Sequence, residues 1–259
     1  MKTIILLPVY NEEATLEAEL GRLKDLADFI LIINDGSADK SGEILGRFCR
    51  DNPSCALISH STNQGKSKAL SNGFSRILEK TNEGLFSYDD IIIITDADGQ
   101  LPSDVIPEAM EYFLRKKLDM LIGARDFNQY PFVKKLGNLI LSTAASILSG
   151  FSFRDTQCGF RILTVEALER ILPFYTARGY ACEQQLSQIA VLSGLNVDNS
   201  FPVKPVYYRS NSTFRDAFYI AADSLITFFR MKSGKNSHLP VRKVLKHGLS
   251  NSALSADDK

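Results

Sequence analysis

The stretch Ile91-Ile92-Ile93-Ile94-Thr95-Asp96-Ala97-Asp98-Gly99-Gln100 joins an apolar run to an acidic turn. Four consecutive isoleucines have no polar face, which is typical of a strand that is covered on both sides in a parallel sheet. In an extended backbone alternate residues share a face, so the carboxylates of Asp96 and Asp98 point the same way. Ligands of open α/β sheets bind beyond the carboxyl ends of the strands. There, two carboxylates and the Gln100 amide oxygen would suit a hard divalent cation that phosphates also hold.

The same ten residues also fit a purely structural interpretation. Asp-Ala-Asp-Gly is ordinary turn chemistry, and Ser103 or Asp104 could simply cap the following helix. Short motifs of this kind match by chance. The stretch therefore predicts a buried strand and leaves metal binding to be decided by the rest of the chain.

The composition is that of a globular protein without a charge bias. The chain has 259 residues, of which 44% are hydrophobic and 23% charged, enough for one large α/β domain or two small ones. The formal net charge is zero, so no overall field favours nucleic acid. Three scattered histidines argue against a His-ligated metal. The cysteines have no metal-binding spacing and are expected to be reduced thiols of a cytosolic protein: Cys49, Cys55, Cys158 and Cys182.

Neither of the two apolar stretches predicts a segment that spans a membrane. The N-terminal run is too short for a signal peptide, and Glu12 and Glu13 follow it at once, so we expect a first strand there. Residues 136–151 include five Asn, Ser and Thr side chains and fall short of the about 20 apolar residues that a spanning helix needs.

Strands alternate with helices in the first half of the chain, which predicts right-handed βαβ units and a parallel sheet. The predicted strands are 4–7, 29–33, 56–59, 91–94 and 120–123, and the predicted helices are 11–27, one beginning near 37–39, 64–78 and 103–117. After Arg125 the pattern predicts helices at 133–148, 181–192 and 214–231, with short strands at 196–201 and 203–208. Residues 153–163 are less periodic.

Four of the predicted strands are each followed by a loop with unusual polar residues. In a parallel sheet all four loops lie at one edge, where a nucleotide would bind. Asp35 could accept hydrogen bonds from a base, Tyr10 could lie along its plane, and Lys66 at a helix start could approach a phosphate. Each loop alone could equally be a turn or a helix cap. The loops are Pro8-Val9-Tyr10-Asn11-Glu12, Asn34-Asp35-Gly36-Ser37, Asn63-Gln64-Gly65-Lys66 and Asp96-Ala97-Asp98-Gly99-Gln100.

Together these four loops resemble the family 2 glycosyltransferases of the GT-A fold, an α/β fold with a mostly parallel sheet. Two further motifs resemble the branch that contains dolichyl-phosphate mannose synthase and bacterial polyprenyl-phosphate glycosyltransferases: Gly123-Ala124-Arg125 and Asp155-Thr156-Gln157-Cys158-Gly159-Phe160-Arg161. The resemblance covers residues 3–230. It implies one GT-A domain at 1–232, with a nucleotide-sugar and metal half at 1–125 and an acceptor half at 126–232. Residues 233–259 are expected to form a basic, disordered tail.

The resemblance implies a donor site and a metal site at the sheet edge. The residues implied to bind the sugar nucleotide are Pro8, Tyr10, Glu12, Asp35, Gly65, Lys66 and Asp96. The implied ligands of Mg²⁺ or Mn²⁺ on its diphosphate are Asp96, Asp98 and Gln100. The second motif usually begins with Asp, whereas this chain has Asn34, which keeps an acceptor oxygen but loses a charge.

The resemblance also implies an acceptor site. Arg125 matches an arginine that grips the acceptor phosphate in this branch. Lys134 (or Lys135) and Asn138 stand where Arg and Ser are expected, and Lys lacks the bidentate fork of Arg. Arg161 could supply further positive charge.

The implied reaction is an inverting, metal-dependent transfer of a sugar from GDP-mannose or a UDP-hexose to dolichyl or undecaprenyl phosphate. A lipid phosphate has a second pKa of about 6, so it is already nucleophilic at neutral pH and needs cations rather than a base. A hydroxyl acceptor would need a general base, for which Asp155 and Glu183 are candidates. These two could instead shape the sugar pocket, and Asp155 could anchor Arg161. With Asp98 and Arg125 they make up the candidate catalytic residues.

Two other functions stay open at this point. One is a glycosyltransferase that acts on a glycan or other hydroxyl, and the other is a non-catalytic nucleotide-sugar binding protein. The processive polysaccharide synthases of the superfamily carry a Gln-x-x-Arg-Trp motif, which is excluded because the chain has no Trp.

The helix predicted at 214–231 has an aromatic side and basic flanks, which is typical of an interfacial helix on anionic lipid. A helix packed on the sheet with a solvated basic tail is the alternative. We expect a cytoplasmic protein bound peripherally to the inner face of the membrane. The apolar side consists of Phe214, Phe218, Ala221, Leu225, Phe228 and Phe229, and the basic residues are Arg209, Arg215, Arg230, Lys232, Lys235, Arg242, Lys243 and Lys246.

Overall fold

The isoleucine run forms one of the inner strands of a seven-stranded sheet. The computed structural model describes residues 1–101, 103–127, 130–204 and 214–234. The first half alternates strands and helices: β1 (Thr3–Val9), α1 (Leu16–Leu23), β2 (Phe29–Asn34), α2 (Ser41–Asp51), β3 (Cys55–Ser59), α3 (Lys66–Asn82), β4 (Ile91–Ile94), α4 (Ile106–Arg115) and β5 (Met120–Ile122). The second half contains β6 (Ala124–Arg125), α5 (Phe132–Ser149), β7 (Arg161–Thr164), α6 (Val165–Ile171), α7 (Cys182–Leu192), β8 (Val197–Asp198), β9 (Pro202–Val203) and α8 (Phe214–Lys232).

The large sheet is mostly parallel. Its strand order is β3-β2-β1-β4-β7-β5-β8. Parallel pairs join β1 to β2 and β4, β2 to β3, and β5 to β8. Among the described strands of this sheet, β7 alone runs antiparallel to its neighbours, β4 and β5. The prediction of an α/β fold with a mostly parallel sheet is therefore confirmed, and the carboxyl ends of β1, β2, β3 and β4 meet at one edge.

Strand β4 is covered on both sides, as its sequence predicts. Ile92 and Ile94 belong to an apolar cluster with α3, α6 and α7, whereas Ile91 and Ile93 belong to a second cluster with α1, α2 and α4. None of the four is more than 2% exposed. Burying an isoleucine side chain contributes about 1.5–3 kcal/mol. The strand that ends in the two aspartates is thus held firmly between two layers of helices.

Three elements of the second half are absent from the sequence prediction, and one of them, β6, has only two residues. Strand β7 lies in the less periodic stretch, and the composition of a strand does not encode the direction of its pairing. Helix α6 has only seven residues, too few for a periodic pattern to stand out. The sequence does contain a typical N-cap residue at its start, Thr164. Its Oγ1 accepts a hydrogen bond from the backbone N–H of Ala167 at 3.0 Å.

The expectation of four reduced thiols is wrong for two of the cysteines. Cys49 near the end of α2 and Cys55 at the start of β3 form a disulfide, with their Cα atoms 5.0 Å apart. The tight connection between helix and strand brings the two together, which a count of spacings does not reveal. Cys158 and Cys182 are free and buried. The cysteine-based argument for a cytosolic compartment therefore loses its support.

The C-terminal part is described only in places. Helix α8 agrees with the helix predicted at 214–231 and packs against α5 and α7. The strand predicted at 203–208 is described as far as residue 204, and the predicted tail lies outside the described residues beyond 234. Among the helices of the described ranges, none combines the length and the apolar character that crossing a bilayer requires.

Candidate functional site

Asp96, Asp98 and Gln100 form a half-buried acidic turn directly after β4. Gly99 has a φ of 69° and turns the chain back, so that the Gln100 backbone N–H donates to Asp98 Oδ1 at 2.9 Å. The Gln100 side-chain amide donates to Asp98 Oδ2 at 2.8 Å. Burial and the neighbouring Asp96 charge raise the pKa of Asp98. The turn therefore concentrates negative charge at the sheet edge.

The first residue of α3 supplies a positive charge to this turn. Lys66 Nζ lies 2.5 Å from Asp96 Oδ1 and 2.8 Å from Glu183 Oε1. Burial alone would lower the pKa of Lys66, but the two carboxylates outweigh it and raise that pKa well above its ordinary value. Burial likewise opposes ionisation of Glu183, yet Lys66 and then Arg161 hold the pKa of Glu183 at about 2. Asp96, an implied metal ligand, and Glu183, a candidate base, thus share one ammonium group.

Gly159 allows the Asp96 carboxylate to take this position. A Cβ atom on Gly159 would lie only 2.1 Å from Asp96 Oδ2. The backbone of Gly159 has no positive φ, so the contact with Asp96, and not the backbone conformation, requires a glycine here. The turn before β7 therefore packs closely against the Asp96 side chain at the end of β4.

Arg125 at the end of β6 forms a two-pronged ion pair with Asp155. Arg125 Nε and Nη2 donate to Asp155 Oδ2 and Oδ1 at 2.7 and 3.0 Å, and the Arg125 backbone N–H donates to Oδ2 at 3.3 Å. The guanidinium also lies over the rings of Phe127 and Tyr130, 5.3 and 5.8 Å from their centroids. Burial would lower the pKa of Arg125, but the charge of Asp155 outweighs it and raises that pKa. Asp155 therefore anchors Arg125, and not Arg161 as the sequence suggested.

Arg161 does not fit its predicted contact with an acceptor. Its side chain is 1% exposed, and its Nη2 donates to the carbonyls of Thr156 and Glu183 at 2.9 and 2.8 Å. Its Nη1 donates to the Cys158 carbonyl. A guanidinium enclosed by backbone oxygens holds the 156–161 turn against α7 and has no open face for a phosphate. The sequence motif showed the charge but not its burial.

The predicted nucleoside end of the site is built around Asp35. The backbone N–H groups of Gln64 and Gly65 donate to its two carboxylate oxygens at 2.9 and 2.8 Å. His60 Nδ1 lies 2.6 Å from Asp35 Oδ1, and His60 Nε2 lies 2.8 Å from Asn72 Nδ2. Asp35 is buried, so in this structure it joins the second and third loops, while its predicted contact with a base stays a prediction.

His60 is a site residue that the sequence analysis missed. No sequence motif marks it, although it directly follows β3 at the same sheet edge as the other loops. Tyr10, by contrast, is exposed at this edge, as a residue that lies along a base would need to be. Pro8 and Glu12 flank it and are half-buried, and the Glu12 backbone N–H donates to Ser41 Oγ at 2.9 Å.

The predicted acceptor residues of α5 lie in its first two turns. Lys134 and Lys135 are half-buried, and their backbone N–H groups donate to the Pro131 carbonyl. Asn138 follows one turn later, and its Oδ1 is buried with no hydrogen-bond partner among the described residues.

The acidic turn suits a hard divalent cation in its chemistry. Asp96, Asp98 and Gln100 offer oxygen ligands, which Mg²⁺ and Mn²⁺ prefer. The Lys66 ammonium already lies on Asp96 as a stand-in cation. Within the described ranges no group of three His, Cys, Asp or Glu side chains could hold a metal ion.

Replacing Gly159 by alanine tests how closely the two turns are fitted. We expect Gly159→Ala to lower the free energy of unfolding by about 1–3 kcal/mol, because the new methyl group overlaps the Asp96 carboxylate. The measurement is urea unfolding followed by circular dichroism. Gly137→Ala in α5, whose Cβ would meet nothing within 4 Å, is the control and should be neutral or slightly stabilising. Equal stability of Gly159→Ala and the parent would contradict this fit.

Known proteins are similar to this chain over most of its length. The family described as Glycosyl transferase family 2 matches residues 4–172. The UDP-N-acetylglucosamine–dolichyl-phosphate N-acetylglucosaminyltransferase of Methanococcus voltae is 27% identical over 221 residues, which cover 78% of this chain and 85% of that protein. The undecaprenyl-phosphate mannosyltransferase of Micrococcus luteus is 26% identical over 195 residues, which cover 72% and 76%.

Solved structures show the same architecture at lower identity. Glucosyl-3-phosphoglycerate synthase of Mycobacterium tuberculosis, in complex with Mn²⁺, UDP and product, superposes with a TM-score of 0.61 at 16% identity and covers 88% of this chain and 79% of its own. A mannosyltransferase of Pyrobaculum calidifontis, in complex with GDP-mannose and Mn²⁺, gives a TM-score of 0.53 at 14% identity, with 95% and 79% covered. The family match and this shared architecture confirm the resemblance seen in the loops: the chain belongs to glycosyl transferase family 2 and is a glycosyltransferase with the GT-A fold.

Proposed function

We propose that this enzyme transfers a hexose from a nucleotide sugar, GDP-mannose or a UDP-hexose, to a polyprenyl phosphate with inversion at the sugar carbon. The observation that carries the proposal is that both candidate general bases are engaged in ion pairs. Asp155 is bound to Arg125 through both oxygens, and Glu183 is bound to Lys66. The named relatives that act on dolichyl and undecaprenyl phosphates support the same acceptor class.

Glu183 and Asp155 are poorly suited to act as the general base that a hydroxyl acceptor needs. A general base is most effective when its pKa lies near the working pH. The pKa of Glu183 is about 2, held there against burial by Lys66 and Arg161. Asp155 is buried, and both of its carboxylate oxygens accept hydrogen bonds from the Arg125 guanidinium. Neither group is therefore suited to take a proton from a sugar or protein hydroxyl.

A phosphate acceptor needs no base and is served by cations instead. Its second pKa is about 6, so at neutral pH it carries a nucleophilic oxygen. The Arg125 guanidinium is half-buried and oriented by Asp155, and a planar guanidinium matches the geometry of a phosphate. Lys134, Lys135 and Asn138 begin the next helix and would complete the acceptor half, residues 126–232. Asp155 then acts on the reaction through Arg125.

The donor half, residues 1–125, would hold the nucleotide sugar at the sheet edge. Pro8, Tyr10, Glu12 and Asp35 would line the nucleoside, and Gly65 and Lys66 would lie near the diphosphate. A Mg²⁺ or Mn²⁺ ion held by Asp96, Asp98 and Gln100 would act as a Lewis acid on the departing nucleoside diphosphate. Two structural neighbours were solved with Mn²⁺ and a nucleotide or nucleotide sugar, which supports this assignment.

Contact with a membrane surface is part of the proposal, because the acceptor is a lipid. Helices α5 and α8 pack on each other and leave large apolar side chains exposed: Phe132, Val133, Leu136, Leu139, Ile140 and Ile147 on α5, and Phe218, Tyr219, Leu225, Ile226 and Phe229 on α8. Many large apolar side chains exposed on two neighbouring helices are typical of an interaction site. We propose that this surface rests on the inner face of the cytoplasmic membrane, with the exposed Lys232 near the end of α8 facing anionic headgroups.

The direct test is release of nucleoside diphosphate from candidate nucleotide sugars in the presence of polyprenyl phosphate and Mn²⁺. We expect the nucleoside diphosphate to be released only when polyprenyl phosphate and Mn²⁺ are both present. We expect Asp98→Ala to lower the rate of release by at least about a hundredfold, because the leaving group loses its cation. Asp104→Ala, which removes an exposed carboxylate nearby, should leave the rate unchanged.

Two outcomes would contradict the proposed acceptor. Release with a glycan or other hydroxyl but not with lipid phosphate, abolished by Glu183→Gln or Asp155→Asn, would show a base-dependent hydroxyl transferase. Tight binding of the nucleotide sugar without release on any acceptor would show a binding protein.

Serine substitutions on α5 test the membrane contact. Leu139 and Ile140 are 62% and 59% exposed, so the double variant Leu139→Ser, Ile140→Ser should keep its stability. We expect it to lose most co-sedimentation with vesicles that contain anionic lipid, because it removes apolar area from the docking face. The control is Leu114→Ser on α4, whose side chain is 44% exposed on the opposite layer of helices. Unchanged co-sedimentation of the double variant would contradict the contact.

A further inference from the structure

The Lys66 ammonium occupies a position that conflicts with metal binding. It lies 2.5 Å from Asp96 Oδ1, and this carboxylate is also an implied ligand of the divalent cation. The side chains of Lys66 and Asp96 are each only 23% exposed. The other carboxylate oxygen of Asp96, Oδ2, lies against Gly159. The ammonium and a metal ion therefore compete for the same half-buried carboxylate. The inference drawn from this conflict rests on the proposed function in one respect, the metal site.

The electrostatic cost of holding both cations there is large. Like charges repel more strongly in a half-buried site than in bulk water, and a divalent ion is repelled more than a monovalent one. Free metal would thus meet both a blocked ligand and a repelling charge. A nucleoside diphosphate removes the conflict, because it brings negative charge for the metal and for the ammonium.

We propose that Lys66 is a placeholder cation, which neutralises Asp96 and Glu183 in the free enzyme and turns to the nucleotide's diphosphate when the metal binds Asp96. The enzyme then binds metal and nucleotide together, and binds either one alone weakly. Lys66 thereby becomes a positioning residue with two alternative partners.

The surroundings of Lys66 allow this movement. A lysine carries its charge on a flexible four-carbon stem, and Lys66 begins α3, whose N-terminal N–H groups favour an incoming anion. Glu183 is not left alone when Lys66 turns away, because the Cys182 thiol donates to Glu183 Oε2 at 2.7 Å. The charge of Arg161 also continues to stabilise this carboxylate. Asp98 keeps its two hydrogen bonds from Gln100.

The test compares binding of Mn²⁺ alone with binding of Mn²⁺ in the presence of UDP or GDP, by calorimetry and without any acceptor. We expect Lys66→Met to bind Mn²⁺ alone at least about tenfold more tightly than the parent, because Asp96 is freed and the repelling charge is gone. In the presence of Mn²⁺ the same variant should bind the nucleoside diphosphate about tenfold more weakly. This opposite change in the two affinities is the signature of a placeholder.

Controls separate this role from general effects of charge and folding. Lys68→Met, two residues on and exposed, should change neither affinity, and Lys66→Arg, which keeps the charge, should bind Mn²⁺ alone as weakly as the parent. Circular dichroism checks that each variant is folded. If Lys66→Met binds Mn²⁺ alone no more tightly than the parent, Lys66 is a fixed structural ion pair and the placeholder is overturned. Because no acceptor is used, failure of the proposed lipid-phosphate activity would show in the release assay and not here.

Discussion

Charge compensation at a half-buried acidic edge is the constraint on which the rest of the structure depends. Asp96, Asp98, Asp155 and Glu183 are brought to one region, and removing a carboxylate from water without a partner costs several kcal/mol. Each therefore has a partner: Lys66 binds Asp96 and Glu183, Arg125 binds Asp155, and Gln100 donates twice to Asp98. These partners come from α3, from β6 and from the turn after β4, so the site exists only when the sheet is assembled.

The sequence could predict the parts of this site that depend on local pattern. An unbroken isoleucine run predicts a strand covered on both faces, and the alternation of strands and helices predicts that the polar loops meet at one edge. Both are confirmed, and the ordered loops were enough to recognise the family.

The pairings between distant residues could not be predicted in this way. Nothing in the local sequence distinguishes Arg161, enclosed by carbonyl groups, from Arg125, which is half-exposed beside Asp155. The disulfide between Cys49 and Cys55 and the antiparallel direction of β7 were missed for the same reason. His60 was missed because its importance lies in its contact with Asp35 and not in a motif. These roles depend on contacts between residues that are distant in the chain, and such contacts cannot be derived from a single sequence.

The resulting site is better suited to stabilising departing and incoming phosphates than to moving protons. Glu183 and Asp155 form ion pairs with Lys66 and Arg125, and these carboxylates in turn orient the two cations. Under the proposed function, the exposed apolar side chains of α5 and α8 would face the lipid, and the Arg125–Asp155 pair would meet the acceptor phosphate. Under the proposed function, a single arrangement of charges would serve the donor, the metal and the acceptor.

The most direct measurement is anomalous diffraction from crystals soaked with Mn²⁺ and a nucleoside diphosphate. The expected result is one manganese peak within bonding distance of the Asp98 and Asp96 carboxylates, with Lys66 Nζ turned from Asp96 to the diphosphate. A manganese peak away from these carboxylates would contradict the metal site, and a peak on Asp98 with Lys66 still bound to Asp96 would contradict the exchange of cations.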